Sequence, residues 1–475
     1  MSATTTVSIQ EELTAKLAVQ RAAFAGAPHD ARSRVQALRA LLAAVRERRE
    51  EFVQAISDDF GGRAREETLL LEVFPLVDEI RHTIRHVAQW MRPRPTPAGW
   101  QFLPGRARVI YQPLGVVGII GAWNYPMFLS LSPLVCALAA GNHAMLKPPE
   151  LAPRTGELLA RLIADLFPEN FVAVVNGGPE VGAAFASLPF DHLLFTGSTR
   201  VGKLIMRSAS ENLTPCTLEL GGKSPAIVHR DFPQQTAAER IMSGKLLNAG
   251  QTCIAPDYVM VDADKRDEFV RHAAAAVTAM YPKLVANPDF SRVISRDQYR
   301  RLRGLVDDAR AKGAVAMEIN PAQETANEDN RVFPPVFLWN VSDEMTVMRE
   351  EIFGPVLPLV TYRSVDEAID YVNAHPRPLA LYYFDNSSKR VETVLARTIS
   401  GGVTINDTLF HIAQNELPFG GVGPSGMGAY HGFDGFETFS KKKGVFLQSR
   451  FNTLGFLRPP YGNLARRMAD LLIGR

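Results

Sequence analysis

Residues 116–147 read VVGIIGAWNYPMFLSLSPLVCALAAGNHAMLK, and they predict the architecture of the chain. The apolar run Val116–Ile120 is typical of a buried strand, and Ser130–Ala140 is typical of a helix. A second short strand is predicted at Ala144–Leu146, where Lys147 ends the apolar run. Because a strand, a helix and a strand in this order form a βαβ unit, we expect a mostly parallel sheet.

The same region is long enough to be considered as a membrane span. Residues 109–146 contain no Asp, Glu, Lys or Arg and exceed the length that crosses a bilayer. Pro113, Pro126 and Pro133 nevertheless break the segment into short pieces, which are typical of buried strands and turns. We therefore interpret the segment as core and expect no integral membrane segment.

Helix and strand signals continue on both sides of this unit. Apolar residues at helical spacing predict amphipathic helices in the first 90 residues. Prolines at 93, 95 and 97 cannot continue a helix and Arg106–Gln112 starts a strand, so we expect an arm or hairpin there. Further strands are predicted at Phe171–Val175, Asp191–Phe195, Tyr258–Val261, Leu379–Phe384 and Val403–Asn406, with helices at Thr155–Leu166, Val201–Ser208, Lys265–Met280 and from Ser364 to just before Pro376.

Size and composition narrow the class of protein. A chain of 475 residues exceeds the size at which one hydrophobic core stops growing, so two or three domains are expected. Hydrophobic content of 46% with 21% charged residues is typical of a folded enzyme. The formal charge is only +2 and no basic block contains interleaved aromatic residues, so we expect no nucleic-acid partner.

The cysteines indicate the redox setting. Cys136, Cys216 and Cys253 form no C-x-x-C pair and no metal-type spacing with histidine, so we expect no metal site. So few cysteines suit a reducing cytoplasm. Residues 1–10 contain no basic segment followed by an apolar one, so no secretory signal is expected and we predict a cytoplasmic protein.

One cysteine lies in an unusual setting. Residues 248–254 read NAGQTCI and place a thiol between a helical run and the start of a strand. A lone cysteine is more often a small buried apolar residue than a catalyst. Here Gly250 permits a sharp turn, and Gln251 and Thr252 are polar, so the thiol lies on a connection. Both interpretations stay open on this ground, with Cys253 as the candidate nucleophile.

Two glycine-containing stretches are candidate cofactor motifs. Residues 421–426 read GVGPSG, the literal G-x-G-x-x-G pattern, but no apolar strand precedes them and Pro424 lies inside, so we interpret them as a turn-rich loop. Residues 195–202 read FTGSTRVG; they follow a predicted strand and open a predicted helix, whose free N–H groups suit a pyrophosphate. A plain N-cap formed by Ser198 is the alternative.

Six motifs occur in order along the chain, within a match that covers roughly residues 30–445. They are AWNYP from Ala122, LKPPE from Leu146, FTGS from Phe195, LELGGKSP from Leu218, GQTC from Gly250 and EEIFGP from Glu350. Together they resemble the aldehyde dehydrogenase superfamily. TPCT at 214–217 and LPFGGVG at 417–423 resemble its class 3 branch. DFG at 59–61, EET at 66–68 and IRH at 80–82 are similar to bacterial coniferyl aldehyde dehydrogenases.

The resemblance implies NAD(P)-dependent oxidation of an aldehyde to its carboxylic acid. Cys253 would attack the aldehyde carbon, and the Asn124 amide and the Cys253 backbone N–H would hold the oxyanion. Glu219 would activate the water that hydrolyses the thioester. Without the resemblance, Asn124 is typical of a turn before Tyr125-Pro126, and Glu219 of an acid at a strand end.

The resemblance also implies a cofactor site. Lys147 and Glu150 would contact the adenosine ribose, with the motif of Gly197, Ser198 and Gly202 at the pyrophosphate. Glu150 would bind a 2′-hydroxyl and repel a 2′-phosphate, which favours NAD, although class 3 relatives also use NADP. Pro149 replaces a serine common in relatives, so that hydroxyl contact is absent. The other implied contacts are Glu351 to the nicotinamide ribose, Phe353 beside the ring, and the backbone at Trp123 and Leu220.

The expected fold is α/β, of the aldehyde dehydrogenase type with a Rossmann-type cofactor domain, a catalytic α/β domain and an oligomerisation arm. The resemblance implies a homodimer. An apolar stripe near the end of the chain is too short to span a membrane and predicts a helix packed on the body or on a partner subunit. The predicted domains are 1–94 and 115–219 for NAD binding, 220–409 for catalysis, 95–114 and 430–449 for the arm, and 450–475 for a C-terminal tail.

The expected substrate is a small hydrophobic aldehyde. Coniferyl aldehyde, oxidised to ferulate, is the first candidate, and a medium- or long-chain fatty aldehyde is the alternative. A non-redox cysteine hydrolase is the alternative from another class; it needs a histidine base near Cys253, which no sequence feature identifies. A former enzyme kept as a binding protein is disfavoured by the intact Cys253, Glu219 and Asn124. Tyr125, Met127 and residues 408–414 are predicted to line the substrate tunnel.

Overall fold

The computed structural model describes residues 3–27, 30–451 and 458–474, so the predictions for residues 1, 2, 28, 29, 452–457 and 475 lie outside the described chain. The helices are α1 Ala3–Ala25, α2 Ala31–Glu47, α3 Arg49–Phe60, α4 Arg65–Thr68, α5 Phe74–Trp90, α6 Phe128–Ala140, α7 Pro153–Leu166, α8 Pro179–Ala186, α9 Thr199–Ser210, α10 Gln234–Leu246, α11 Arg266–Met280, α12 Arg296–Ala311, α13 Thr346–Arg349, α14 Val365–Ala374, α15 Ser388–Arg397, α16 Gly432–Thr438 and α17 Asn463–Ile473.

The strands follow the alternation expected from the sequence. They are β1 Arg94–Thr96, β2 Arg106–Pro113, β3 Val116–Ile120, β4 His143–Lys147, β5 Val172–Val174, β6 His192–Thr196, β7 Cys216–Glu219, β8 Pro225–Val228, β9 Tyr258–Asp262, β10 Val315–Glu318, β11 Val336–Trp339, β12 Val356–Tyr362, β13 Ala380–Phe384, β14 Gly402–Ile405, β15 Gly426–Met427 and β16 Ser440–Leu447.

The βαβ unit predicted from residues 116–147 is confirmed as β3, α6 and β4. It lies in a six-stranded sheet of order β15-β7-β6-β3-β4-β5, in which all pairs except β15–β7 are parallel. Every residue of β3, α6 and β4 is buried, which explains why this region is free of charges until Lys147. The parallel strands have the order of a Rossmann fold, whose ligands bind at the carboxyl ends of the neighbouring strands β3 and β6, where the strand order reverses.

A second sheet follows Gly221 in the chain. Its seven strands have the order β10-β11-β12-β9-β8-β13-β14, and all are parallel except β10, which pairs antiparallel with β11. β8, β9 and β13 are buried along their whole length, so the centre of the sheet is a continuous apolar layer. The loop from α10 to β9 carries Cys253.

The predicted arm region forms a third sheet. β1, β2 and β16 pair antiparallel, with β2 and β16 in register from Ser440 opposite Pro113 to Leu447 opposite Arg106. Most residues of these strands are exposed or half-buried. The assignment of this sheet to oligomerisation stays a prediction.

The predicted amphipathic helices of the first 90 residues are confirmed as α2 to α5, and α1 adds Leu13 and Leu17 to a core beneath the first sheet. α17 forms in the predicted tail but contributes no buried residue to the body of the chain. Packing on the body is therefore wrong for this helix, while packing on a partner subunit stays a prediction. Across the described residues, every helix is too short or too polar to cross a bilayer.

Candidate active site

The loop predicted around Cys253 is confirmed, and its backbone is unusual. Asn248 and Ala249 both have φ of 52°, and Gly250 has φ of 75°. A Cβ atom at Gly250 would lie 2.5 Å from the carbonyl oxygen of Gly354, so only glycine fits between the two loops. The Gln251 side chain donates to Asn248 O at 2.9 Å and accepts from Ile294 N at 2.9 Å. These contacts fix the turn that presents the thiol.

Cys253 and Glu219 line one cavity of about 310 Å³. Glu219 ends β7 and is 2% exposed. Neither carboxylate oxygen has a hydrogen-bond partner among the described residues, and burial raises the pKa of Glu219 well above its usual value. A buried acid with free oxygens at a strand end is not the solvent-facing acid that the simpler interpretation requires.

The thiol itself is held in a setting that disfavours its charge. The pKa of Cys253 is raised to about 12, mainly by burial, and the carboxyl groups of Glu351 and Glu219 act in the same direction. Backbone hydrogen bonds at Cys253 and Ile254 act in the opposite direction. The resting thiol is therefore protonated at neutral pH, and a base is needed to make the thiolate.

Asn124 lies in the turn after β3 and is 3% exposed. Its carbonyl oxygen accepts from the Asn248 side chain at 2.9 Å, which joins this turn to the loop of Cys253. A second link runs between the Tyr125 hydroxyl and Thr252 Oγ1 at 2.6 Å. These two hydrogen bonds join the turn of Asn124 to the loop of Cys253, while Asn124 itself is not among the residues that line the cavity.

A buried ion pair supports the same turn. Arg63 Nη1 donates to Glu72 Oε1 at 2.9 Å and to Asn124 O at 3.0 Å, and both charged side chains are fully buried. The other Glu72 oxygen accepts from the backbone N–H groups of Met127 and Phe128 at 2.9 and 3.0 Å. Neither charged residue belongs to a motif that the sequence reveals.

The residues predicted at the cofactor lie at the carboxyl ends of β4 and β6. Lys147 ends β4, is 3% exposed and donates to Glu150 at 2.7 Å. Burial alone would raise the pKa of Glu150, but the hydrogen bond and charge of Lys147 outweigh it and lower that pKa. Gly197 follows β6, and Ser198 caps α9 by accepting from Val201 N at 3.4 Å. The N-cap interpretation of Ser198 is therefore correct, and it leaves the helix N-terminus facing the sheet edge.

The remaining predicted cofactor residues also cluster. Trp123 and Phe353 pack edge to face with ring centroids 5.2 Å apart, and a Cβ atom at Gly202 would lie 2.7 Å from the Leu220 side chain. Glu351 packs against Gly221, where a Cβ atom would lie 2.1 Å from its carboxylate.

These side chains suit a dinucleotide. Oε1 of Glu351 is buried without a hydrogen-bond partner in the described chain, and burial raises the pKa of Glu351 to about 8. An unsatisfied acceptor here, a helix N-terminus after β6 and an acid after β4 match the ribose and pyrophosphate groups of such a cofactor.

The tunnel prediction is confirmed in part. Tyr125 lines the cavity, whereas Met127 does not, because its side chain is fully buried in the core. From the predicted segment, the lining residues are Thr408, Leu409, Phe410, Ile412 and Ala413.

The cavity is also lined by three polar residues that the sequence did not identify. Glu79, Tyr430 and His431 line the cavity, and Glu79 Oε2, Tyr430 OH and His431 Nε2 have no hydrogen-bond partner within the described ranges. The signal for Glu79 was its place one helical turn after Leu76, on the apolar face of α5. His431 is the histidine that a hydrolase would need, but burial lowers its pKa to about 3.

The fold and this site define an enzyme class, and the chain belongs to the aldehyde dehydrogenase family, whose model matches residues 2–445. It is an aldehyde dehydrogenase that uses a nicotinamide cofactor. The hydrolase and binding-protein alternatives are thereby set aside.

The relatives that the chain matches include coniferyl aldehyde dehydrogenases and a family 3 aldehyde dehydrogenase. The chain is 52% identical to a probable coniferyl aldehyde dehydrogenase of Pseudomonas aeruginosa, over 98% of this chain and 97% of the relative. It is 48% identical to a coniferyl aldehyde dehydrogenase of Pseudomonas sp., over 94% and 93%. Aldehyde dehydrogenase family 3 member A2 of Rattus norvegicus is 41% identical over 88% and 84%, which confirms the class 3 resemblance.

Solved structures agree with the fold. A substrate-bound AldH of Staphylococcus aureus has a TM-score of 0.91 at 35% identity, covering 97% of this chain and 99% of that one. An NAD⁺ complex of an aldehyde dehydrogenase from Bacillus cereus has a TM-score of 0.84 at 28% identity, covering 93% and 89%. The predicted α/β fold of this family is confirmed.

Proposed function

We propose that Cys253 is the nucleophile, Glu219 the base and Asn124 the oxyanion donor of this aldehyde dehydrogenase. The observation that carries the proposal is the shared cavity of Cys253 and Glu219. The thiolate of Cys253 bonds to the aldehyde carbon, and the resulting oxyanion accepts hydrogen bonds from the Asn124 amide and the Cys253 backbone N–H. When bound, the nicotinamide cofactor would accept the hydride from the C–H bond of the former aldehyde carbon, and the re-formed carbonyl would be a thioester on Cys253.

Glu219 acts in the second half of the reaction. Its free carboxylate oxygens suit activation of the water that hydrolyses the thioester, since a raised pKa brings a carboxylate closer to the pKa of a useful general base. The sum is aldehyde, water and oxidised cofactor going to carboxylic acid, reduced cofactor and a proton.

We infer that NAD is preferred over NADP. Glu150, held by Lys147, is an acceptor for the 2′-hydroxyl of an adenosine ribose, and its negative charge opposes a 2′-phosphate. Lys147, Gly197, Ser198 and Gly202 would hold the ribose and pyrophosphate. Glu351 would hold the second ribose, beside Trp123, Leu220 and Phe353.

We propose coniferyl aldehyde, oxidised to ferulate, as the substrate. Relatives at 52% and 48% identity carry that name. The cavity adds its own argument, because Glu79 places an unsatisfied oxygen in an otherwise mostly apolar wall. Burial raises the pKa of Glu79 to about 8, so its carboxyl is largely neutral at pH 7 and able to donate to a ring oxygen. A saturated alkyl chain offers no such partner, which disfavours the fatty aldehyde alternative.

A pair of matched substrates tests this role. Cinnamaldehyde lacks the phenolic hydroxyl and the methoxy group of coniferyl aldehyde but has the same propenal. We expect wild type to prefer coniferyl aldehyde over cinnamaldehyde and over hexanal in kcat/KM. Glu79→Leu should lower the coniferyl-to-cinnamaldehyde ratio about tenfold, the worth of one buried hydrogen bond, while Glu79→Gln should keep most of it. A ratio unchanged by Glu79→Leu, or a wild-type preference for hexanal, would contradict the substrate proposal.

We also propose a homodimer formed through the β1–β2–β16 sheet, in a reducing cytoplasm. β1 and β16 are the outer strands of that sheet, so each leaves a row of backbone groups for a partner. In this view residues 1–94 and 115–219 form the cofactor domain, 220–409 the catalytic domain, 95–114 and 430–449 the arm and 450–475 the tail. Sedimentation of the full chain against a Lys443→Pro variant, in mid-β16, would test the interface, and a monomeric wild type would overturn it.

A further inference from the structure

Two histidines and a glutamate lie together outside the residues that line the cavity. His82 and His86 are one turn apart on α5, with ring centroids 4.2 Å apart. Glu416 comes from the loop after β14, and its Oε1 is 3.0 Å from Nε2 of His82. One ligand-type atom from each of the three side chains lies within 4.8 Å of the other two. Neither the family assignment nor the proposed mechanism uses this cluster.

The Nε2 atom of His82 lies beside the Glu416 carboxylate but forms no hydrogen bond of good geometry in the described part of the chain. His82 is only 6% exposed. A neutral imidazole with a free ring nitrogen offers a lone pair to a metal ion.

His86 is oriented to provide a second nitrogen. Its Nδ1 is 2.8 Å from the backbone oxygen of His82, which only accepts, so Nδ1 carries the proton and Nε2 carries the lone pair. The Trp90 ring stacks on His86 at 5.9 Å with an interplanar angle of 18°. A backbone carbonyl holding the other ring nitrogen is the arrangement that orients metal-binding histidines.

Distances and charges suit a small divalent cation. With bonds of about 2.0–2.1 Å, two ligands of a tetrahedral Zn²⁺ lie about 3.3 Å apart. The 3.0 Å separation of His82 and Glu416 is near that value, and the Glu416 side chain, 73% exposed, is free to adjust towards His86. The negative charges of Asp78 and Glu416 act on His82 against the positive charge of Arg85.

We propose that His82, His86 and Glu416 bind a divalent transition-metal ion, with Zn²⁺ the best match to two imidazoles and one carboxylate and with a fourth position open to water. The test of cysteine and histidine spacing in the sequence does not reveal this set, because Glu416 is far from α5 along the chain. The site is structural or regulatory, since it lies outside the reacting groups.

The bound ion would join α5 to the rim of the substrate cavity. Asn415, next to Glu416, lines the cavity and donates to Asp78 at 2.6 Å. Asp78 also lines the cavity and lies one turn before His82. A metal bridge beside this hydrogen bond would hold the rim closed and slow aldehyde entry, so occupancy should lower kcat/KM reversibly.

Calorimetric titration of the EDTA-treated full chain with Zn²⁺ tests the site. The Cys253→Ala background removes the thiol as a competing ligand. We expect one Zn²⁺ per chain, with affinity lowered at least about tenfold by His86→Ala and by Glu416→Gln and unchanged by His272→Ala, a half-buried histidine on α11. Absence of binding in this background, or binding that survives both ligand substitutions, would overturn the proposal.

An activity measurement tests the effect on the rim. In the chain with Cys253 intact, Zn²⁺ should lower kcat/KM for the aldehyde, EDTA should restore it, and the His86→Ala and Glu416→Gln variants should resist. Equal inhibition of wild type and both variants would mean that Zn²⁺ acts through the thiol. That result would refute the effect of the metal on the cavity rim, and metal binding would then be judged from the calorimetric titration alone.

Discussion

Replacing Arg63 by methionine should destabilise the chain and slow the reaction together. The guanidinium neutralises Glu72, donates to the Asn124 carbonyl and stacks 4.7 Å from the centroid of the Tyr125 ring. Methionine fills much of the same volume but leaves Glu72 as a fully buried, unpaired acid. Breaking a buried ion pair from one side costs about 3–5 kcal/mol.

A second substitution should restore part of the stability lost in Arg63→Met. Burial is the main cause that raises the pKa of Glu72, and Arg63 opposes it, so loss of Arg63 should raise that pKa further. Adding Glu72→Gln to Arg63→Met should restore some stability because the amide carries no charge. The Asn124 backbone carbonyl keeps its Asn248 donor but has lost its Arg63 donor in both variants, so kcat/KM should stay at least about tenfold low.

Urea unfolding followed by circular dichroism measures the first effect, and NADH formation measures the second. Arg48→Met is the matched control, because it breaks an ion pair with Asp165 whose side chains are 25% and 60% exposed. That change should cost less than about 1 kcal/mol and leave kcat/KM unchanged. If Arg63→Met shifts the unfolding midpoint no more than Arg48→Met, the buried pair does not support the turn as argued.

Two further predictions concern the cofactor and the thiol. Glu150→Gln should lower the ratio of kcat/KM for NAD over NADP at least about tenfold, because it removes the charge that opposes a 2′-phosphate. The control is Glu157→Gln, which changes an exposed acid on α7, and an unchanged ratio in Glu150→Gln would count against the role of Glu150. Because burial raises the pKa of Cys253 to about 12 and the reaction needs the thiolate, kcat/KM for the aldehyde should increase from about pH 6 to about pH 9; a profile that is flat or falls over this range would be inconsistent with a protonated resting thiol.

Local patterns explain which parts of the fold were predictable. β3, α6 and β4 are buried on all sides, so their uninterrupted apolar runs mark them directly. No comparable signal predicts β12, where Pro358 interrupts the run, or β15, a two-residue strand that exists only because it pairs with β7. Short strands of this kind depend on partners far away in the chain.

The residues of the candidate site were likewise predictable from the sequence only in part. The ordered motifs identified Cys253 and Glu219 as candidate catalytic residues. Their position in one cavity depends on how the two sheets pack, which the spacing of residues in the sequence does not reveal. Glu79 was hidden because an acid within an apolar helix face is normally taken as an interruption, whereas here the face borders a cavity. Met127 was misassigned to the tunnel because its neighbour Tyr125 lines the cavity, but the start of α6 turns Met127 into the core.

The central claim is that Cys253 carries the acyl group and Glu219 releases it. Glu219→Gln should keep the first turnover and slow hydrolysis, so mixing it with NAD and coniferyl aldehyde should give a burst of NADH close to one equivalent per site. Quenching the mixture in acid and digesting it should then yield the peptide with Cys253 heavier by one acyl group, and the double variant with Cys253→Ala should yield neither burst nor adduct. An acyl group found on another residue, or a steady-state rate of Glu219→Gln equal to that of wild type, would contradict the account.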